Sequence, residues 1–157
     1  MSSDLLILAE VAIAMLLGGV IGAERELADK PAGLRTHMLI AGAAALLVGL
    51  ADAMIHRFTA AGEAIRSDPL RVIEAVVTAV GFLGAGMILR RGDSEHVEGL
   101  TTAASVLFAA AVGVCVALQE FLLAAGVTLL DLATLRGAKV IETRIRRARR
   151  TRPTTAA

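Results

Sequence analysis

Apolar residues run almost unbroken through 5–22, 37–54, 70–89 and 100–118, and a shorter run over 121–135 extends to 138. Charged turns separate them. About 18 to 20 apolar residues at ~1.5 Å rise span a hydrocarbon layer ~30 Å thick. The pattern therefore predicts an all-α fold. It is a polytopic transmembrane helix bundle with five spans, at about 5–22, 37–54, 70–89, 100–118 and 121–138, followed by a basic tail over 139–157. No positive residue precedes the first run, and the turn after it, Gly22-Ala23-Glu24-Arg25-Glu26, is charged, so the run is read as a span and not as a secretory signal. The polar stretch 55–68 is expected to form a short surface helix. Asp68-Pro69 then opens the third span, with Asp68 as the cap and Pro69 at the first helical position, where its missing N–H costs nothing.

Two turns share one pattern. Gly33-Leu34-Arg35-Thr36 opens the second run and Gly99-Leu100-Thr101-Thr102 opens the fourth. Each follows a glycine-rich helix end, Gly18-Gly19-Val20-Ile21-Gly22 in one unit and Gly81-Phe82-Leu83-Gly84-Ala85-Gly86 in the other. With both turns on one side of the membrane, the units would form a parallel repeat about an axis along the bilayer normal. Gly18-x3-Gly22 and Gly81-x3-Ala85 place small residues one turn apart. In lipid such pairs let helix backbones approach closely, so tight packing within the chain is expected at both.

Composition supports the membrane reading. The hydrophobic share is 56% and the mean hydropathy is +0.71, too apolar for a water-soluble domain of 157 residues. Net charge is only +1, but its distribution is informative. Eight of the 16 Lys and Arg lie between Arg136 and Arg152; Arg25, Lys30 and Arg35 lie in the first turn, and Arg90 and Arg91 in the third. Only Arg57, Arg66 and Arg71 fall on the opposite side. The positive-inside rule gives an outer N-terminus and an inner C-terminus, and it needs five spans to do so. Cys115 is the single cysteine, so no disulfide forms within the chain. Trp and Tyr are absent, leaving Arg and Lys to anchor the span ends. The basic tail suits an anionic lipid surface. It carries no aromatic or groove-reading pattern, so nucleic acid is not expected as a partner.

Three groups of residues could carry chemistry. The first turn gathers Glu24, Arg25, Glu26, Asp29, Lys30, Arg35 and Thr36. Glu24 and Arg25 abut Gly22 at the membrane boundary, where charges need partners, and Arg35 or the second turn is expected to supply them. The second turn gathers Arg90, Arg91, Asp93, Glu95, His96 and Glu98 before Thr101 and Thr102. The simpler reading of both is a solvated turn. The third group is the intramembrane acids. Glu10 and Glu74 lie at similar depth and could line an outer vestibule for a hard cation, although pairing of Glu74 with Arg71 is the simpler reading. Asp131 should face the bundle interior, near Thr128 or Thr134. No nucleophile–base set, nucleotide loop or metal-hydrolase motif is present, so neither an enzyme nor a cofactor is expected. His96 has no second ligand at metal spacing.

Five motifs in order, Gly22-Ala23-Glu24-Arg25, Lys30-Pro31-Ala32-Gly33-Leu34-Arg35-Thr36, Asp68-Pro69-x-Arg71, Gly81-Phe82-Leu83-Gly84-Ala85-Gly86 and Gly99-Leu100-Thr101-Thr102-Ala103-Ala104, resemble the MgtC/SapB membrane protein family. The resemblance runs from about residue 16 to 135. It implies a five-span membrane domain in the bacterial inner membrane. Many members add a soluble ACT-like domain, and this chain is expected to be the short form without one. The resemblance also implies a link to Mg²⁺ limitation and virulence, and a role as a small modulator of other membrane proteins, the ATP synthase among them. Carried onto this chain, the motif residues expected to matter are Glu24, Arg25, Arg35, Thr36, Asp68, Arg71, Gly81, Gly84, Gly86, Thr101 and Thr102. The leading expectation is a non-enzymatic modulator, with a homo-oligomer among the expected assemblies. The rival is a transporter or channel for Mg²⁺ or another cation, with Glu74, Asp131 and the inner turns along its path.

Overall fold

The structure, a computed structural model, describes residues 3–60, 68, 70–90 and 97–150, with side chains over 3–58, at 68, over 70–88 and over 98–137. Five helices form it: α1 (Ser3–Leu27), α2 (Leu34–Ala60), α3 (Leu70–Met87), α4 (Leu100–Ala117) and α5 (Phe121–Arg150). A two-residue antiparallel pair, β1 (Leu89–Arg90) with β2 (Val97–Glu98), precedes α4. The first four helices are long and apolar enough to cross a membrane; among the described residues α5 does not join them.

Boundaries moved where charge was taken for a helix end. Helix α2 starts at Leu34 and runs to Ala60, so residues 55–60 of the expected surface helix belong to α2; residues 61–67 lie outside the described residues. Helix α5 continues to Arg150, through the expected boundary at 138. Arg and Lys are good helix formers, so a basic segment need not end a helix. The tail beyond it, 151–157, lies outside the described residues.

Small residues fill the inside of the bundle and large ones cover the outside. Ala14, Ala41, Ala45, Ala109 and Ala124 are fully buried, whereas Leu16, Leu39, Leu122, Leu129 and Leu130 are widely exposed. A water-soluble protein would be arranged the other way round. In lipid, leucine outside costs nothing and small residues inside let backbones meet. Helix α4 is the centre and packs on the other four helices. Its buried residues, from Thr102 through Ser105, Val106, Ala109, Ala110 and Gly113 to Val116, cover more than one face, as expected of a helix enclosed by neighbours.

Glycines set the closest approaches. A Cβ on Gly113 would fall on the Ala41 carbonyl, and one on Gly18 would stand 2.6 Å from the His37 carbonyl oxygen and 2.7 Å from the Ala41 Cβ. One on Gly22 would meet the Leu34 Cα at 2.7 Å. The Gly18-x3-Gly22 pair is thus internal packing, as expected. The Gly81-x3-Ala85 pair is not: nothing lies within 4 Å of a Cβ at Gly81 or Gly86. Only Gly84 of that motif touches a neighbour, Ala103, at 3.4 Å. Helix α3 is peripheral, with Val76, Val80 and Gly84 as its buried residues.

Two turns are closed by one backbone device. After α1, Lys30 N–H reaches Arg25 O at 3.0 Å and Asp29 N–H reaches Glu26 O at 3.1 Å, with Asp29 left-handed at φ 53. After α4, Glu120 N–H reaches Cys115 O and Gln119 N–H reaches Val116 O, both at 2.9 Å, with Gln119 at φ 60. This is the Schellman arrangement, which satisfies the carbonyls that a helix end leaves open. Asp68 caps α3 as expected, its Oδ1 accepting from Leu70 N–H at 3.0 Å.

Candidate functional site

The end of α1, the start of α2 and the start of α4 converge at one end of the bundle, and α5 passes beside them. Glu24 and Arg25 close the inward stripe of α1. Arg25 Nε donates to Glu24 Oε2 at 2.7 Å, and both side chains are buried. Neighbouring residues on a helix ordinarily point apart; here both turn inward because the alternative is a charge against packed helices. Arg25 Nη1 is buried and makes no hydrogen bond among the described residues.

His37 lies one turn into α2 and is fully buried. Its Nδ1 is 2.9 Å from Gly33 O. A carbonyl can only accept, so Nδ1 carries the hydrogen. Its Nε2 is 3.1 Å from Ser105 Oγ. Thr102 O lies 3.0 Å from the same Ser105 Oγ, so the single hydroxyl hydrogen serves either Nε2 or this carbonyl. Gly18 and Gly22 make room for the His37 backbone, since a side chain at either would strike it or its neighbours. This polar chain runs from the Gly33 carbonyl through His37 and Ser105 to the Thr102 carbonyl, and so links the starts of α2 and α4.

Their likeness is partial. Both helices begin at the Leu after the Gly. Gly99, however, adopts φ 94 with its Cβ position against the Met87 carbonyl, whereas Gly33 has no positive φ and is kept small by the Glu26 carboxylate beside it. Glu26 Oε2 accepts from Leu34 N–H at 2.8 Å and so caps α2 from the end of α1, the role a capping side chain plays at an open helix start.

Asp131 completes the site. It is buried on α5, within electrostatic reach of Arg25 and Glu24. Its Oδ2 has no hydrogen-bond partner among the described residues. Thr128 and Thr134 do not serve it; their hydroxyls donate to Ala124 O and Leu130 O, both at 2.8 Å. The site thus holds one guanidinium and two carboxylates on buried residues, with a donor on Arg25 and an acceptor on Asp131 unmet among the described residues. Among the described residues no group of three or more His, Cys, Asp and Glu could hold a metal ion.

Other expected residues stand elsewhere. Arg35 is exposed and forms no ion pair among the described residues, so it is not the partner of Glu24; Arg25 is. Thr36 is half-buried, Thr101 exposed and Thr102 buried. Arg71 and Glu74 are both exposed, and no ion pair joins them among the described residues. Glu74 does not share a vestibule with Glu10, which faces inward on α1 and meets Gln119. Arg91, Asp93, Glu95 and His96 lie outside the described residues. Sequence reasoning passed over His37 and Ser105. Both are polar residues within otherwise apolar runs, a signal available without the structure.

A family model, that of the MgtC family, matches residues 11–144. The chain belongs to the MgtC family. Among relatives, Protein SapB of Bacillus subtilis is 41% identical over 107 residues, covering 68% of this chain and 45% of the relative. Protein MgtC of Salmonella typhimurium is 39% identical over 119 residues, covering 76% and 46%. The Putative magnesium transporter YhiD of Escherichia coli is 40% identical over 109 residues, covering 66% and 47%. The chain thus spans about half the length of these relatives. No solved structure matches. The MgtC family match takes in α1 from Val11, the two turns and Asp131, so the buried cluster lies wholly inside it.

Proposed function

We propose that this MgtC family membrane protein is a non-enzymatic modulator of another protein in the bacterial inner membrane, in a setting of Mg²⁺ limitation or virulence. One observation carries the reading: the acids that a cation path would use do not line up. Glu74 is exposed on a peripheral helix, Glu10 sits at one end of the bundle, and Asp131 is buried within electrostatic reach of Arg25. The buried cluster serves to fix the helix ends. Exposed Lys30, Arg35 and Thr101 around it are then the groups that meet a partner.

Helix α5 is the fifth span in this reading. It buries Ala124, Thr128, Asp131 and Leu135 at helical spacing and turns Leu122, Leu129 and Leu130 outward, as a lipid-facing helix does. The N-terminus is then outside and the basic end of α5 inside. The family resemblance names the ATP synthase as a partner to try first. Co-reconstitution in vesicles tests it: ATP-driven proton pumping falls when the chain is present and recovers with Arg35→Glu. Pumping unchanged by the wild type would remove that partner.

A second reading, cation transport, draws support from the unmet atoms of Arg25 and Asp131 and from the name of the Escherichia coli relative. It requires flux that depends on Asp131.

A further inference from the structure

At the opposite end of the bundle, α1, α2 and the α4–α5 turn enclose a cleft of about 310 Å³. Glu10 contributes a carboxylate to it while being only 8% exposed. Its Oε1 accepts a long hydrogen bond from Gln119 Nε2, at 3.4 Å. Its Oε2 accepts none among the described residues. Gly49 keeps that oxygen uncovered, since a Cβ there would lie 3.7 Å from it.

The other charged side chains of the cleft stand at its exposed rim. His56 Nδ1 is 3.4 Å from Asp52 Oδ2, and Arg57 is 3.9 Å from Asp4 Oδ1, all of them well exposed. What the cleft offers is one carboxylate oxygen of a residue nine-tenths buried, open to the cleft and without a protein donor among the described residues, beside walls that include Leu6, Ile7, Ala53 and Ala117. An uncovered acceptor asks for a cationic donor. Apolar walls ask for carbon beside it.

We propose that this cleft binds a small alkylammonium group, with an N–H on Glu10 Oε2 and the alkyl carbons against Ile7 and Ala53. An ammonium brings three donors and no acceptor. A bare metal ion fits poorly, because a hard cation wants about six or more oxygen ligands and the described residues hold no such group. The volume, on the order of ten waters at ~30 Å³ each, suits an ethanolamine-sized group. Two sources present that chemistry at the mouth of a membrane protein: the headgroup of phosphatidylethanolamine and a free primary amine.

The full chain in nanodiscs of equal phosphatidylethanolamine and phosphatidylcholine provides the test, since the choline nitrogen is equally positive but has no N–H. Native mass spectrometry should show phosphatidylethanolamine retained about tenfold over phosphatidylcholine. Glu10→Gln removes the charge, and Gly49→Ala places a methyl in van der Waals contact with Oε2 while leaving the carboxylate in place. Both should bring retention to the phosphatidylcholine level with the melting temperature unchanged. Ethylammonium that displaces the lipid supports the headgroup as source. Ethylammonium that binds by calorimetry in phosphatidylcholine discs, with no lipid preference and with loss in both variants, supports a free amine. Equal retention of the two lipids together with no ethylammonium binding overturns the proposal. So does binding that survives both variants, or Mg²⁺ binding lost in Glu10→Gln while ethylammonium is inert.

Discussion

His37 Nε2 lies 3.1 Å from Ser105 Oγ, a bond across 68 residues of sequence that fastens the start of α2 to the start of α4. Both residues are essentially without solvent contact. A buried polar atom that loses its partner keeps its desolvation penalty, about 1–3 kcal/mol. Ser105→Ala should therefore destabilise the protein by that amount, and Ser105→Thr, which retains the hydroxyl, by less. Denaturant titration in detergent micelles reads both; an Ala variant as stable as wild type would mean the bond contributes nothing.

The charge cluster predicts an asymmetry. Removing Arg25 leaves two carboxylates buried together, a loss on the order of 3–5 kcal/mol for a broken buried pair. Removing the Asp131 charge leaves Glu24 and Arg25 still paired at 2.7 Å. Arg25→Gln should thus unfold or strongly destabilise the bundle, while Asp131→Asn should change stability by less than about 1.5 kcal/mol. Equal losses in the two variants would place the pairing differently from the geometry described.

A closely packed glycine and an open one should respond in opposite ways. Gly113→Ala drives a methyl onto the Ala41 carbonyl and must part α2 from α4, an overpacking cost of about 1–3 kcal/mol. Gly81→Ala meets nothing within 4 Å and should be neutral or stabilising by about 0.5–1 kcal/mol, through helix propensity. Thermal melting of the two variants side by side checks this.

Much of the fold was legible because lipid imposes so simple a rule on sequence. The apolar runs located α1 to α4, and Asp68 was recognised as a cap from its position before Pro69. The site was harder to read for a physical reason. Glu24 and Arg25 stand in a run of five residues with three charges, which looks solvated, and only helix packing shows that this pair points inward while Arg35 points out. Gly81 and Gly18 carry one spacing, but contact depends on which helix lies opposite. Sequence spacing gives the face of a helix without its neighbour. His37 and Ser105 were visible as polar residues in apolar runs, yet their partnership needed the crossing of α2 on α4.

Asp29 offers a local test of the turn. It holds φ 53 at the position of the Schellman arrangement where glycine is favoured. Asp29→Gly should raise stability by up to about 1 kcal/mol by removing left-handed strain, with the hydrogen bonds of Lys30 and Ala28 intact. A fall in melting temperature would instead assign the Asp29 side chain a stabilising contact of its own.

Mg²⁺ flux into proteoliposomes separates the two functional readings most directly. The purified wild type is compared with Glu74→Ala and Asp131→Asn, with folding and insertion verified for each. A modulator whose buried charges only hold the helix ends together gives no flux above empty vesicles in any of them. Saturable flux in the wild type that falls in Asp131→Asn would contradict the account and make the unmet atoms of Arg25 and Asp131 part of an ion path.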